Sequence, residues 1–274
     1  MTARPPAAAL HDLRAVLAPI ERLGVAVSGG VDSMTLSVVA HRLLGGGATM
    51  FHAVSPAVPH EATRRVQRHA AREGWRLDVF EAGEFDDANY RANPANRCFY
   101  CKTNLYGAVV GRTDAIVVSG TNLDDLGDWR PGLEAARNHG VRHPFVEAEI
   151  DKATVRAIAR HLELDDLAEL PAAPCLSSRI ETGIRIEADQ LASVHAAERY
   201  VRRWLKPATV RCRVRRAAIV IELDAATLDA LGAAERHDMG AKIGRMFADD
   251  EGARTVEFTA YRMGSAFLRP AEVA

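Results

Sequence analysis

Leu23-Gly24-Val25-Ala26-Val27-Ser28-Gly29-Gly30-Val31-Asp32-Ser33 is the stretch on which the reading of this chain turns. Its first five residues form an apolar run suited to a strand buried on both faces of a parallel sheet, and Met34 to Leu44 reads as the helix that follows. Between them two glycines permit a sharp backbone bend, and hydroxyls and amides gather at a helix N-terminus, where partial positive charge collects. Such a turn is suited to an anion. Because it lacks the Gly-Lys-Ser/Thr ending of a Walker loop, the usual hold on a transferable γ-phosphate is not expected.

Working outward, Thr49 to Val54, Trp75 to Phe80 and Ala115 to Ser119 read as further strands, with a polar helix at Glu61 to Arg72 between two of them. Residues 8 to 21 suggest an amphipathic helix carrying Leu10, Leu13, Leu17 and Ile20 at helical spacing, and Asp151 to His161 another, with Asp151 as its cap. This alternation predicts an α/β fold, a parallel sheet covered by helices on both faces. Ligands bind such sheets beyond the carboxyl ends of the strands, which places Val54 and Ser55 to line an adenine pocket through backbone groups. After the fourth strand come Gly120-Thr121-Asn122-Leu123-Asp124-Asp125 and Asp128-Trp129-Arg130-Pro131-Gly132. Carboxylates clustered there suit a magnesium ion bridging ATP phosphates, with Asp32 and Asp125 as candidate ligands. The same residue types also cap helices and form turns.

Farther on, Leu170-Pro171-Ala172-Ala173-Pro174-Cys175-Leu176-Ser177-Ser178-Arg179 carries two prolines that forbid a regular helix, so Cys175 sits on a rigid loop. Arg179, four residues later, is placed to favour a thiolate, the reactive form of cysteine. The last ninety or so residues read as a separate small α+β domain (181–274) after a first domain of 1–180. It begins with a long helix, Glu187 to Leu205, followed by strands at Thr209 to Arg215 and Ala218 to Leu223, a helix at Ala225 to Phe247 and a strand at Thr255 to Thr259. Period-two alternation puts Val210, Cys212 and Val214 on one face, toward a core, and Arg211, Arg213 and Arg215 on the other, as a row of guanidinium forks.

Composition bounds the class. The chain has 274 residues, 48% hydrophobic and 26% charged, which suits a globular protein of one large and one small domain. No apolar run reaches the roughly 18 residues of a membrane span, no basic segment leads into a long apolar one, and a cytoplasmic location is expected. Four cysteines are too few for a disulfide scaffold, and two form Cys98-x-x-Cys101, which points to metal or sulfur chemistry. With Cys175 as a third thiolate, either an iron-sulfur cluster or a zinc site is chemically open. Net charge is -1, but residues 199–216 hold eight basic side chains and no acidic one. That local field suits a phosphate or an acidic partner.

Read together, these motifs resemble one family. Ser28 to Ser33 is similar to the PP-loop of the ATP pyrophosphatase superfamily, with its adenine nucleotide alpha hydrolase-like fold. That loop, Asn93-Pro94-x-x-Arg97-Cys98-x-x-Cys101-Lys102, Gly120-Thr121-Asn122, Asp128-x-Arg130-Pro131-Gly132, Pro174-Cys175-Leu176-x-Ser178-Arg179 and Tyr261-Arg262-x-Gly264-Ser265 together resemble the LarE-type ATP-dependent sulfur transferases, over nearly the whole chain and in order. The resemblance implies that ATP, held by Ser28, Gly29, Gly30, Val31, Ser33, Gly120, Thr121 and Asn122, adenylates a carboxylate of a pyridinium mononucleotide. A sulfur nucleophile then displaces AMP, which yields a thiocarboxylate for the nickel-pincer cofactor. Cys175 falls at the family's sulfur-bearing cysteine. Cys98 and Cys101 match the branch whose three thiolates hold a 4Fe-4S cluster fed by a sulfide source. Arg211 and Arg213 match positions that bind the substrate phosphate, Arg130 falls in the adenylate-site segment, and Glu198 and Glu222 are family-like acidic positions. A homo-oligomer is expected.

Two other functions fit some of these features. A PP-loop tRNA thiolase also combines this loop with three cysteines, but nucleic-acid affinity calls for a broad basic surface, and here one segment alone is basic. An adenylate-binding regulatory module with a structural zinc would bind ATP without turnover.

Overall fold

The computed structural model describes residues 4–127, 131–172, 174–248 and 252–268. By its contacts the chain divides into two compact units, Met1–Glu84 with Cys98–Ala173, and Phe85–Arg97 with Pro174–Ala274.

In the first unit the order runs α1 (Pro6–Leu17), β1 (Leu23–Ala26), α2 (Val31–Leu44), β2 (Ala48–Val54), α3 (His60–Glu73) and β3 (Arg76–Glu81). After the excursion of residues 85–97, which holds α4 (Ala88–Arg91), come α5 (Arg97–Val110), β4 (Ile116–Ser119), α6 (Pro131–Asn138), α7 (Pro144–Glu147), α8 (Lys152–His161) and α9 (Asp165–Ala168). The four strands form one parallel sheet in the order β3-β2-β1-β4. Alternate residues of a strand face opposite ways, and the core obeys this. Met50 and Val118 join the cluster built with Leu13, Leu36 and Ile158, whereas their neighbours Phe51 and Val117 join Tyr106, Val109 and Ala136. Helices therefore cover both faces, as the alternation of elements predicts.

Chain direction across the sheet reverses at β1: β2 and β3 lie on one side of it and β4 on the other. In open parallel sheets the crevice at the carboxyl ends of such a reversal is where ligands bind. The loop 28–33 occupies that position. The following helix starts at Val31, three residues before the Met34 expected, because Gly30 adopts the extended cap conformation (φ -82, ψ 162).

The second unit contains α10 (Ala188–Leu205), β5 (Val210–Val214), β6 (Ile219–Leu223), α11 (Ala225–Ala230), α12 (Ala233–Met246) and β7 (Val256–Ala260). β5 and β6 pair antiparallel and β6 and β7 parallel. The single helix expected over Ala225 to Phe247 is two. It breaks at Leu231-Gly232, where Glu235 Oε2 accepts from the Gly232 N–H at 3.0 Å and Arg236 donates to the Leu228 and Leu231 carbonyls. Both new helix ends are thereby satisfied.

Residues 85–97 and 174–180, grouped on sequence with the first domain, pack with this unit instead. Buried Asn93 is the reason: its Nδ2 donates to the Glu181 and Ile184 carbonyls at 2.9 Å each, and its own carbonyl accepts from Gly183 N. Among the described residues no helix is long and apolar enough to cross a membrane.

Candidate functional site

Hydroxyl groups shape the loop. Ser33 Oγ accepts from the Ser28 N–H at 3.0 Å, lies 3.1 Å from Ser28 Oγ and donates to the Gly30 carbonyl at 3.2 Å, so one buried side chain ties both ends of the turn. Gly29 takes φ +84, a left-handed conformation that glycine adopts without penalty. Its carbonyl accepts from Arg65 Nη1 at 2.7 Å. Val31 and Asp32 open α2, whose N-terminal amides present partial positive charge.

The segment after β4 meets this loop. A Cβ on Gly120 would lie 2.7 Å from Ser33 N and 2.9 Å from both Asp32 C and Ser33 Cα, so only glycine allows the two backbones to approach this closely. Asn122 Nδ2 donates to Asp32 Oδ1 at 3.2 Å. Asn122 also caps the 3-10 turn Leu123–Leu126 by accepting from Asp124 N, while Asp125 Oδ2 accepts from Asn122 N. Asp125, expected as a magnesium ligand, thus has a capping role, and any metal contact would be additional to it.

Lys152, the first residue of α8, completes the cluster: its Nζ donates to Asp32 Oδ2, and its backbone N–H reaches Asp124 Oδ2 at 3.3 Å. Sequence reasoning passed over it, although the Asp151 cap, confirmed by its bond from Thr154 N at 2.7 Å, fixes where that helix starts. Arg65 was likewise passed over, inside a helix read only as polar. Behind Thr121, Ser119 Oγ bridges Thr121 Oγ1 at 3.0 Å and His143 Nδ1 at 2.9 Å. Burial pushes the His143 pKa down, and Glu147 and Asp125 offset part of this. Val54 ends β2, and Ser55 opens a turn in which its Oγ accepts from Ala57 N at 3.2 Å. The structure therefore brings Ser28, Gly29, Gly30, Val31, Asp32, Ser33, Gly120 and Asn122 together, with Lys152 added. Arg130 lies outside the described residues.

In the second unit Cys175 is exposed on its loop and is a free cysteine. Its carbonyl accepts from Ser178 N at 3.0 Å, Ser178 Oγ at 2.8 Å and Arg179 Nη1 at 3.2 Å. Arg179 thus holds the backbone of this loop, and it also donates to Glu198 Oε1 at 2.8 Å, the Pro174 carbonyl at 2.7 Å and Ser178 Oγ at 2.8 Å. The side-chain hydrogen bonds of Arg179 go to these groups rather than to the thiol, which changes its expected role from stabilising a thiolate to positioning the loop. Burial alone would raise the Glu198 pKa, but Arg179 and Arg202 outweigh it and hold the carboxyl below its ordinary value.

Val210, Cys212 and Val214 are buried, as alternation predicts. Burial drives the Cys212 thiol pKa well up, which leaves it a protonated core residue. The arginine face is not a free row. Arg213 is buried, with Nε on Glu222 Oε2 at 2.9 Å and Nη1 on the Ser178 carbonyl at 3.0 Å, and Ser265 Oγ donates to Glu222 Oε1. Arg211 is half-buried, its guanidinium 5.7 Å from the centre of the Tyr261 ring.

Cys98 and Cys101 lie one turn apart at the start of α5, half-buried and on one face of the helix. Among the described residues no group of three or more His, Cys, Asp or Glu side chains is arranged to hold a metal ion.

No family model matches the chain. It is 39% identical over 198 residues, 71% of its length and 74% of the relative's, to an uncharacterized protein of Synechocystis. It is 31% identical over 221 residues, 79% of each, to the pyridinium-3,5-bisthiocarboxylic acid mononucleotide synthase of Lactiplantibacillus plantarum. An uncharacterized protein of Methanocaldococcus jannaschii is 26% identical over 208 residues, 74% of this chain and 78% of that one.

Proposed function

The chain belongs to the family of the pyridinium-3,5-bisthiocarboxylic acid mononucleotide synthases, and on that premise we propose that it is an ATP-dependent sulfur transferase that converts a carboxylate of a pyridinium dicarboxylate mononucleotide to a thiocarboxylate, within nickel-pincer nucleotide cofactor biosynthesis. The observation that carries the reading is the meeting of loop 28–33 with Gly120 and Asn122 at the sheet's reversal, where the Asp32 carboxylate is held between an amide and the Lys152 ammonium.

In the proposed reaction a carboxylate oxygen of the substrate attacks the α-phosphorus of ATP, the bond to the β-phosphate bridge breaks, and pyrophosphate leaves. A sulfur nucleophile then attacks the acyl carbon, and the carbon–oxygen bond to AMP breaks. The amides at the start of α2 would face the phosphates, in a turn that the Ser33 hydroxyl ties at both ends. Val54 and Ser55 would line the adenine, Thr121 the adenylate, and Arg130 the substrate. Lys152, paired with Asp32, would supply a positive charge to the departing pyrophosphate. Asp32, with Asp125, would hold a magnesium ion, which neutralises phosphate charge when bound. Arg211 would take the substrate phosphate, with Arg213 fixed beside it by Glu222.

Cys98, Cys101 and Cys175 would hold a 4Fe-4S cluster, whose remaining iron supplies an exchangeable sulfide when the cluster is present. What supports the choice of ligands is burial alone: three thiols are half-buried or exposed, whereas the fourth, Cys212, is a buried, protonated core residue.

The experiment is anaerobic purification followed by parallel assays of pyrophosphate release and thiocarboxylate formation. Wild type should contain iron and sulfide and release pyrophosphate when the pyridinium dicarboxylate mononucleotide is added. Cys175→Ala should keep pyrophosphate release and lose thiocarboxylate formation. No acid-dependent pyrophosphate release would sink the enzyme reading, and zinc in place of iron would sink the cluster alone.

A further inference from the structure

The turn between β5 and β6 has no part in the reaction above, yet three guanidinium groups meet there. Among the described residues, Arg215, Arg216 and Arg254 line an open depression of about 340 Å³ together with Ile184, Val214 and Gln190, and none of these is a carboxylate. The cavity is firmly framed. The Arg215 N–H donates to the Ala218 carbonyl at 3.0 Å to close the turn, and Arg254 Nη2 donates to the Arg215 and Arg216 carbonyls at 3.1 and 3.2 Å. One wall is the first turn of α10, which contributes Gln190.

Charge around this cavity is unbalanced. Arg215 approaches Glu181 at 3.8 Å and Glu222 at 3.5 Å, both longer than a charge-assisted hydrogen bond. Arg216 and Arg254 form no ion pair among the described residues, whereas Arg179, Arg202 and Arg213 hold carboxylates at 2.8 to 2.9 Å. Three like charges around one partly shielded space repel one another, and a bound dianion would relieve that repulsion. In the same lining, Gln190 Oε1 is buried and has no hydrogen-bond partner. A buried acceptor in that state calls for a donor. Ile184 and Val214 add an apolar wall.

We propose that this cavity binds a small phosphate monoester that carries a hydroxyl group, of the sugar phosphate class. A phosphate monoester is close to a dianion at neutral pH and matches two guanidinium forks. A hydroxyl on the same molecule would serve Gln190, and the cavity volume is that of a small-molecule site rather than of an extended polymer track. The site is separate from the Arg211 and Arg213 pair, neither of which lines it.

Ribose 5-phosphate is the probe, titrated calorimetrically into the full chain, with inorganic phosphate and bulk tRNA in parallel. Arg216 is exposed, so Arg216→Glu should fold normally, shown by an unchanged melting temperature, and should weaken ribose 5-phosphate roughly tenfold or more. Arg216→Lys, which keeps the charge but not the fork, should fall between. Gln190→Leu should weaken ribose 5-phosphate and leave inorganic phosphate unchanged; because Arg211 is proposed to hold the substrate phosphate, the titrations are repeated in an Arg211→Ala background, where the binding that depends on Arg216 should persist. No binding to wild type overturns the proposal, as does ribose 5-phosphate binding that is wholly lost in Arg211→Ala, or that Arg216→Glu leaves unchanged in the Arg211→Ala background. An equal effect of Gln190→Leu on both probes overturns the hydroxyl contact, and tRNA binding that ribose 5-phosphate does not compete overturns the ligand class.

Discussion

At the carboxyl edge of the first unit's sheet the ion pair stands at the rim: Asp32 and Lys152 keep 24% and 33% of their side chains exposed. In the second unit Arg179 and Glu198 keep 3% and 2%, and Arg213 and Glu222 keep 5% and 2%. The pairing chemistry is the same and the burial is not. A rim pair gains little over hydration and exchanges partners at small cost, as the proposed binding of ATP beside it would require. A buried pair is costly to assemble and far costlier to split, because the abandoned charge has no water. Buried pairs thus serve the second unit as fixed struts that aim its loops. The rim pair leaves the first unit's site able to change its ionic partners.

The largest effect should come from splitting a strut. Glu198→Ala strands Arg179 and removes the acceptor of the Cys212 N–H, so it should cost roughly 3–5 kcal/mol of unfolding free energy. Asp32→Ala should cost no more than about 1 kcal/mol. Chemical denaturation of the two variants measures both. A Glu198→Ala cost as small as that of Asp32→Ala would break the contrast.

Next comes the contact that keeps the rim in place. A methyl on Gly120 collides with backbone atoms of Asp32 and Ser33, none of which can rotate away. Gly120→Ala should therefore push the β4 end and the loop apart, at about 1–3 kcal/mol of stability and with loss of ATP affinity. Gly46→Ala, where the added carbon meets nothing within 4 Å, is the control and should leave both unchanged.

How far sequence carried the reading follows from the same contrast. The apolar run at β1, the period-two faces of the strands and the capping Asp151 are local signals, and the parallel sheet with its loop was legible from them. Cys212 as core was legible from alternation alone. Partners fixed by distant register were not. Arg213 looked free because its strut, Glu222, becomes its neighbour only through the antiparallel pairing of β5 with β6. Arg179 looked like a partner of the Cys175 thiolate because the two are four residues apart, but Glu198, on α10, takes its fork. Lys152 reaches Asp32 across 120 residues of chain, a meeting that no spacing rule encodes. The break in the helix at Leu231-Gly232 rests on one cap, Glu235 to Gly232 N, three residues ahead within a stretch that otherwise reads as continuous helix.

A smaller effect on stability, though not on activity, should follow from emptying the rim. Lys152→Met removes the ammonium from Asp32 while keeping most of the side-chain length, so the melting curve should move by less than about 1 kcal/mol in free energy. Pyrophosphate release should fall with it, and Lys152→Arg should restore part of the rate. A variant that releases pyrophosphate at the wild-type rate would reduce Lys152 to a surface contact.

The smallest effect separates the two regions by pH. In the first unit His52 is fully buried, 2.8 Å through Nδ1 from the Val27 carbonyl and 3.0 Å through Nε2 from Thr63 Oγ1. The carbonyl can only accept, so Nδ1 carries a proton, and in the neutral ring Nε2 accepts from the threonine hydroxyl. Burial pushes its pKa down, and the Val27 bond offsets only part of that. The folded state therefore binds this proton less readily than the unfolded chain, whose histidines titrate near about pH 6.5. The stability it contributes is complete above that pH and is lost as pH falls toward the lowered folded value. Glu198 is also depressed, by Arg179 and Arg202 against burial, so its contribution is complete above the unfolded carboxyl pKa of about 4.3 and is lost below it. Acid titration of stability should then show a shallow decline starting below about pH 6.5, reduced in His52→Gln, and a separate, steeper one below about pH 4.3, reduced in Glu198→Gln. A His52→Gln profile that falls in parallel with wild type between those two values would show that the ring beside the loop is not held neutral by burial.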